Sequence, residues 1–101
     1  MPELNEIIHQ PVRLRIMSAL TSLKSDEEID FSSLAKMLEV TDGNLGAHLL
    51  KLEEAGYTVV SKTFVDRKPR TYLKASNKGR AAFDDHVEAL RQILGKQPEK
   101  E

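Results

Sequence analysis

One stretch of the chain decides the predicted fold: VTDGNLGAHLLKLEEAGY, residues 40–57. Thr41 is a favourable helix N-cap, Asp42 places a negative charge in the first turn, and Gly56 stands where a left-handed residue commonly closes a helix. The stretch therefore predicts a helix over residues 42–55. At 100° per residue its leucines fall within about 60° of one another, which predicts a buried side. These leucines are Leu45, Leu49 and Leu52.

The opposite side of this helix combines an amide, a small side chain, an imidazole and a cation, from Asn44, Ala47, His48 and Lys51. These groups suit the major groove of DNA, since an amide pairs with adenine, an imidazole donates to guanine or phosphate, and a methyl contacts thymine. A polar outer face is also typical of any small helical domain, so the helix alone does not decide the function. Gly43 and Gly46 cost about 1 kcal/mol each in helix propensity relative to alanine. The sequence leaves open whether they serve packing or the close approach of a ligand.

Two helices are predicted before this stretch. Residues 11–24 carry apolar side chains at helical spacing, and Pro11 suits the first turn of a helix. A short extended segment is expected at residues 29–31, after which Ser32 or Ser33 is predicted to cap a short second helix. Two short helices joined by three or four residues, the second strongly capped, are typical of a helix-turn-helix.

The hydrophobic period changes in the second half of the chain. Residues 57–64 and 70–75 are extended runs separated by a polar turn at residues 65–69, which predicts a β-hairpin. Ser76 is predicted to cap a final helix. The apolar stripe of that helix consists of Phe83, Val87, Leu90 and Leu94.

The distribution of charge is more informative than its sum, which is −1. Residues 41–80 carry eight basic and four acidic side chains, while residues 1–40 and 81–101 are both net acidic. The cations around the predicted hairpin turn, opposed only by Asp66, are Lys62, Arg67, Lys68 and Arg70. A basic hairpin of this kind can contact DNA phosphates or enter a narrow A·T-rich minor groove.

The order of these motifs resembles winged-helix regulators of the MarR/ArsR group. The resemblance covers about residues 11–94 and rests on FSSLA at 31–35, VTDGNLGAHL at 40–49, KLEEAGY at 51–57, RKPRTY at 67–72 and SNKGR at 76–80. It implies an α+β, mainly α fold with a three-helix core, a β-hairpin wing and a C-terminal dimerisation helix. It also implies a homodimer whose Thr41, Asn44, His48 and Lys51 face the DNA groove.

The favoured hypothesis is a sequence-specific, double-stranded DNA-binding regulator of transcription that acts as a homodimer. Its predicted DNA contacts are Ser32, Ser33, Thr41, Asn44, Ala47, His48, Lys51, Lys62, Arg67, Lys68 and Arg70. The third helix would contact bases, whereas Ser32, Ser33, Lys51 and the hairpin would contact phosphates. The alternative is a winged-helix protein-interaction module without direct DNA binding. The overall acidity and Asp42 favour that alternative, and the hairpin cations oppose it.

Apolar residues near the two ends of the chain predict a dimer interface. They provide more apolar surface than a three-helix core of this size needs, and a two-fold protein matches paired DNA half-sites. The alternative is that they complete the core. The residues are Leu4, Ile7, Ile8, Val87, Leu90, Ile93 and Leu94.

Other classes of function are not expected. The chain has no cysteine, phosphate-binding loop or hydrolase motif, so neither an enzyme nor a cofactor is predicted. It has no apolar run long enough for a membrane and no secretory signal, so a cytoplasmic protein without membrane contact is expected. A small-molecule effector cannot be assigned. We expect one winged-helix domain at residues 1–95, followed by a disordered tail at residues 96–101.

The histidines do not predict a metal site. Asp84 and His86 match half of a zinc motif that some relatives carry, but Gln97 stands where the second imidazole is expected. A neutral amide is a poor ligand for a transition metal, so no metal is predicted. His86 is interpreted instead as a surface or interface residue, and the sequence shows no partner for His9, which stands beside Pro11.

Overall fold

The computed structural model describes residues 3–95, which form four helices and a three-stranded antiparallel sheet. In chain order the elements are α1 (Pro11–Thr21), β1 (Ile29–Asp30), α2 (Phe31–Leu38), α3 (Asp42–Glu54), β2 (Thr58–Val65), β3 (Lys68–Ala75) and α4 (Asn77–Gly95). The predicted helix-turn-helix with a β-hairpin wing is confirmed. The predicted tail at residues 96–101 lies outside the described residues.

Helix α1 is shorter than predicted, because it ends at Thr21 rather than at residue 24. Arg80, at the start of α4, donates hydrogen bonds to the carbonyl oxygens of Thr21 and Leu23 at 3.1 and 2.9 Å. The carbonyl groups at the end of a helix have no partner within the helix, and here an arginine 59 positions away satisfies that of Thr21. The local sequence pattern does not show this contact.

Asp30 caps α2, so the prediction of Ser32 or Ser33 as the cap is wrong. The Asp30 carboxylate accepts hydrogen bonds from the Ser33 backbone N–H at 3.1 Å and from the Ser33 hydroxyl at 2.6 Å. The helix begins one residue after Asp30, at Phe31, because β1 pairs with β3 over only two residues. Asp is as good an N-cap as Ser, and the residue that leaves the strand takes the role.

The turn between α2 and α3 and the end of α3 follow the sequence closely. Thr41 caps α3, since its hydroxyl oxygen accepts from the Asn44 N–H at 3.1 Å. The helix ends at Glu54, and Gly56 follows with a φ of 80°. The Gly56 N–H donates to the Glu53 carbonyl and the Tyr57 N–H to the Leu52 carbonyl, both at 2.9 Å, which is the Schellman arrangement.

The wing is longer and its turn tighter than predicted. Strands β2 and β3 pair up to Val65 and Lys68, so the turn consists of Asp66 and Arg67 alone rather than residues 65–69. Both turn residues have positive φ, 51° and 67°, as in a type I′ hairpin turn. The sheet order is β1-β3-β2. Pro69 fits in β3 because β1 pairs only with residues 72 and 73.

The core lies between the helix-turn-helix and the end of β3 that carries Leu73 and Ala75. Its fully buried side chains include Ile16, Met17, Leu20, Leu34, Leu45, Leu52 and Leu73. Ile8, predicted at the dimer interface, belongs instead to the core of its own chain, because the segment before α1 folds back against the body. His86 is also 0% exposed, so its interpretation as a surface or interface residue is wrong.

Among residues 3–95, no helix combines the length and the apolar character needed to cross a membrane.

Candidate nucleic-acid interface

The two sides of α3 are divided as the sequence predicts. Its buried residues are Leu45, Leu49 and Leu52. On the opposite side Asn44, Ala47 and Lys51 are exposed, and His48 is half-buried. We refer to Asn44, Ala47, His48 and Lys51 as the outer face of α3. Thr41 is exposed at the start of the helix, where its oxygen accepts from a backbone N–H and its hydroxyl hydrogen remains available to a phosphate.

His48 on this outer face is oriented by a residue that the sequence did not indicate. The Arg13 guanidinium donates from Nη1 to His48 Nδ1 at 3.3 Å and from Nε to the Ile7 carbonyl. An arginine only donates, so Nδ1 must be the acceptor and a neutral His48 carries its hydrogen on Nε2. The ring therefore has a defined donor nitrogen. Residue types at helical spacing on α1 contain no signal for this contact with α3.

The start of α2 places one serine in an exposed position and engages the other. Ser32 is exposed. The hydroxyl hydrogen of Ser33 is bonded to Asp30 and is not available to a ligand. The hydrogen bonds from Ser33 also lower the pKa of the Asp30 carboxyl, because they stabilise its charged form.

A depression of about 290 Å³ connects the start of α2 with the wing. Ser32, Lys68 and Arg70 all line it, so three predicted phosphate contacts from two elements share one concave surface. Asp30 lines the same depression and partly offsets the two cations.

The register of the wing separates the cations that the sequence placed in one cluster. Residues directly opposite one another share a face of the sheet, so Lys62 shares a face with Thr71 whereas Arg70 shares the other face with Thr63. Lys68 lies on the same face as Arg70, and Arg67 is in the exposed turn. The wing therefore presents cations on both faces and at its tip.

A groove of about 530 Å³ separates α3 from the Lys62 face of the wing. Its apolar wall includes Leu50, which is 55% exposed, and Val60. Its polar rim consists of Glu53, Lys62 and Thr71. Gly46 also lines the groove, and a Cβ atom added there would meet nothing within 4 Å.

Comparison with known families agrees with this geometry. The family described as the winged helix DNA-binding domain matches residues 12–94. The chain belongs to this family. The predicted resemblance to small winged-helix regulators is thereby confirmed, and the family and the fold are those of transcription regulators.

This winged helix is similar to archaeal and bacterial proteins. An uncharacterized protein of Methanocaldococcus jannaschii is 36% identical over 88 residues, covering 87% of this chain and 92% of the relative. The structure of a transcriptional regulator homologue protein from Pyrococcus horikoshii has a TM-score of 0.81 at 31% identity and covers 90% of this chain and 87% of that one. A MarR-like transcriptional regulator from Thermotoga maritima shares the fold, with a TM-score of 0.62 at 21% identity over 93% of this chain and 68% of its own.

The two ends of this winged helix expose part of the predicted dimer surface. Ile93 and Leu94 near the end of α4 are 51% and 61% exposed. The remaining surface members are half-buried: Leu4, Ile7, Val87 and Leu90. Exposed apolar side chains at the end of a long helix leave a surface that a second chain can cover.

His86 and His9 form a pair, so the structure gives His9 the partner that the sequence did not show. His9 Nδ1 lies 3.4 Å from His86 Nε2. His86 Nδ1 accepts from the Asn5 backbone N–H at 2.9 Å. A neutral ring whose Nδ1 accepts keeps its hydrogen on Nε2, which does not suit a metal ligand bound through Nε2. Among residues 3–95, no three His, Asp or Glu side chains are grouped to hold a metal ion.

Proposed function

We propose that this winged helix binds double-stranded DNA in a sequence-specific manner and regulates transcription as a homodimer. The observation that carries the proposal is the exposed outer face of α3, with wing cations across the groove and beside the start of α2. A helix with such a face is the element that helix-turn-helix proteins insert into the major groove.

Within this proposal, α3 supplies the contacts to bases. The exposed Asn44 amide has the donor and acceptor needed for adenine N7 and N6. His48 presents Nε2–H, which suits the acceptors N7 and O6 of guanine. Ala47, between them on the same side, is small enough to contact the methyl group of thymine.

Phosphate contacts come from the elements around α3 and position it in the groove. Ser32, Lys68 and Arg70 would bind one phosphate at the depression between α2 and the wing. Ser33 keeps a different role in the proposal, because its hydroxyl caps α2 through Asp30. The other predicted phosphate contacts are Thr41, Lys51, Lys62 and Arg67.

The dimer in this proposal forms through the ends of the chain, at Leu4, Ile7 and the α4 residues Val87, Leu90, Ile93 and Leu94. The exposure of Ile93 and Leu94 supports it. Two copies of α3 related by a two-fold axis would contact half-sites about 34 Å apart, or a multiple of that distance. Selection from a random duplex library tests this, since a dimer selects inverted half-sites at one spacing.

Two substitutions distinguish contacts to bases from contacts to phosphates. Asn44→Ala should relax the selected sequence at one position and cost about 1–3 kcal/mol on the preferred site. Arg70→Ala should weaken binding to every duplex and lower the slope of log affinity against log salt by about 1. The matched control is Lys24→Ala, which removes an exposed cation on the loop after α1.

The proposal fails if Asn44→Ala and Arg70→Ala bind duplex DNA like the Lys24→Ala control. A protein-interaction module is then the better function. Two exposed apolar side chains favour it: Leu50 in the groove between α3 and the wing, and Phe64 on β2, which is 73% exposed. A salt titration separates the two functions. If the chain contacts six or more phosphates, raising the salt from 50 to 200 mM should weaken DNA binding about 10³-fold or more.

A further inference from the structure

The segment before α1 forms a turn that Asn5 organises, and we refer to residues 5–9 as the N-terminal turn. The Asn5 side-chain oxygen accepts from the backbone N–H groups of Ile7 and Ile8 at 2.9 and 3.1 Å. Its Nδ2 donates to the Tyr57 hydroxyl at 2.8 Å, and its backbone N–H donates to His86. One residue therefore attaches the turn both to α4 and to the loop between α3 and β2.

The attachment to α4 requires neutral imidazoles. Because His86 Nδ1 accepts from a backbone N–H, the hydrogen of His86 is on Nε2, where it can be donated to His9 Nδ1. A proton added to His86 would direct an N–H at the N–H of Asn5. A proton added to His9 at Nδ1 would remove the acceptor of His86. Either event breaks a hydrogen bond beside a wholly buried ring.

The turn also reaches the outer face of α3. The carbonyl of Ile7 accepts from Arg13 Nε, and the same guanidinium donates to His48 Nδ1. Ile7 thus orients the plane of the guanidinium, and the guanidinium selects the tautomer of His48. A planar donor held at one edge is pre-organised at the other. The path from His86 to His48 runs through Asn5, Ile7 and Arg13.

We propose that the N-terminal turn is a pH-sensitive clamp. While His9 and His86 are neutral, the turn holds the Arg13 guanidinium on His48. Protonation of these imidazoles releases the turn, and the hydrogen of His48 is then no longer fixed on Nε2. Arg13 is in this view a positioning residue. The step from His48 to DNA rests on the proposed function, whereas the clamp does not.

The direction of the pH effect follows from the surroundings of His86. Burial lowers the pKa of His86 below its ordinary value of 6.5, and the neighbouring His9 lowers it further. The titratable group beside His86 is His9 from the N-terminal turn. Arg13 from α1 and Tyr57 from the loop between α3 and β2 contact the same turn, at Ile7 and Asn5. The folded chain thus binds this proton less readily than the unfolded chain. The contribution of His86 to the free energy of unfolding is therefore fully present above about pH 6.5, and it falls as the pH drops toward the pKa of His86 in the folded state.

The first measurement needs no DNA and uses the full chain. Nitrogen-15 spectra of the three imidazoles and the exchange protection of the Asn5 amide are recorded between about pH 7.5 and pH 5. We expect protection of the Asn5 amide to fall by up to about tenfold for each pH unit between about pH 6.5 and the lowered pKa of His86 in the folded chain. We also expect His48 to lose its single Nε2–H tautomer over the same range. A protected Asn5 amide at pH 5 would overturn the clamp.

Substitutions test the connection from one end to the other. Arg13→Gln should leave the Asn5 amide protected at neutral pH but give His48 a mixture of tautomers, and Arg91→Gln on the exposed side of α4 is the matched loss of charge. His86→Gln keeps an acceptor and a donor but removes one of the two imidazoles that release the clamp, so its His48 signals should change less with pH than those of the natural chain. A single His48 tautomer in Arg13→Gln would contradict the proposed path.

The second measurement adds the duplex selected above. A positive charge on His48 would by itself strengthen contact with DNA at low pH. A loss of affinity at low pH is therefore the effect expected of the clamp and not of His48. We expect affinity to fall about tenfold between pH 7.5 and pH 5.5 in the natural chain, and to fall less in His86→Gln. Unchanged or rising affinity in the natural chain would refute the coupling to DNA. If no variant binds DNA at any pH, the proposed function fails while the first measurement still decides the clamp.

Discussion

Gly79 and Gly46 lie in two helices of the same small protein and are glycines for opposite reasons. A Cβ atom on Gly79, at the start of α4, would lie 2.1 Å from the carbonyl oxygen of Tyr57. A Cβ atom on Gly46, in the middle of α3, would meet nothing within 4 Å. The first glycine is required by the chain itself, because backbone packs directly on backbone. The second weakens its helix by about 1 kcal/mol with no steric reason inside the chain.

The same contrast extends to the surroundings of each glycine. Around Gly79, the Ser76 hydroxyl oxygen accepts from the Gly79 N–H at 2.9 Å, and the same hydroxyl donates to the Gly56 carbonyl at 2.6 Å. Around Gly46, the outer face of α3 and the groove toward the wing are open. The start of α4 thus serves the fold, whereas the middle of α3 is open, and in the proposed function DNA occupies this open surface. Three substitutions test this contrast.

Gly79→Ala should have the largest effect on stability. The new methyl group meets a backbone carbonyl that cannot rotate away, so we expect a loss of about 3 kcal/mol, the upper end of the cost of overpacking. Urea denaturation followed by circular dichroism measures it. Gly95→Ala is the matched control, since a Cβ atom there meets nothing within 4 Å. Equal stabilities for the two variants would remove the basis of the contrast.

Arg80→Ala should cost less, about 2 kcal/mol, because hydrogen bonds from a charged donor contribute about 1.5–3 kcal/mol. The substitution leaves the carbonyl groups of Thr21 and Leu23 at the end of α1 without their side-chain donor. Denaturation midpoints measure the loss, and Arg91→Ala on the exposed side of α4 should change stability by no more than about 0.5 kcal/mol. A similar midpoint for both arginine variants would show that the contact to α1 contributes little.

Gly46→Ala should have the smallest effect on stability and the opposite sign, a gain of about 1 kcal/mol in the free energy of unfolding. If the open space serves DNA, the same variant should lose about tenfold in affinity for its preferred duplex, the equivalent of one base contact. A variant that is more stable and binds as well as the natural chain would show that DNA does not need the glycine. Gly43→Ala is the comparison variant at another open position of α3. If only Gly46→Ala loses affinity, the loss arises at position 46 and not from any alanine on this helix.

Much of the fold was predictable because it depends on near neighbours in the chain. The cap at Thr41, the closing residue Gly56 and the spacing of the buried leucines are features of α3 alone, and the structure confirms each. Among the candidate site residues, the exposed positions on α3 follow from the same period of 3.6 residues. Their role in binding DNA stays a prediction.

The errors have one physical cause, which is competition between local signals and distant partners. Ser32 and Ser33 are good caps, but the two-residue pairing of β1 gives the role to Asp30. The hairpin turn lacks the usual glycine, yet continued pairing of the strands puts Asp66 and Arg67 in left-handed conformations.

The sequence by itself determined which segments become helices and strands and where most of α3 faces, because hydrophobic period and capping act over a few residues. Only the tertiary structure decided which side chains meet across the chain. It separated Lys62 from Arg70 through the register of the wing, buried His86 against Asn5 and His9, and placed Arg13 on His48. Such contacts join residues as many as 81 positions apart, and no pattern within a helix or a strand encodes them.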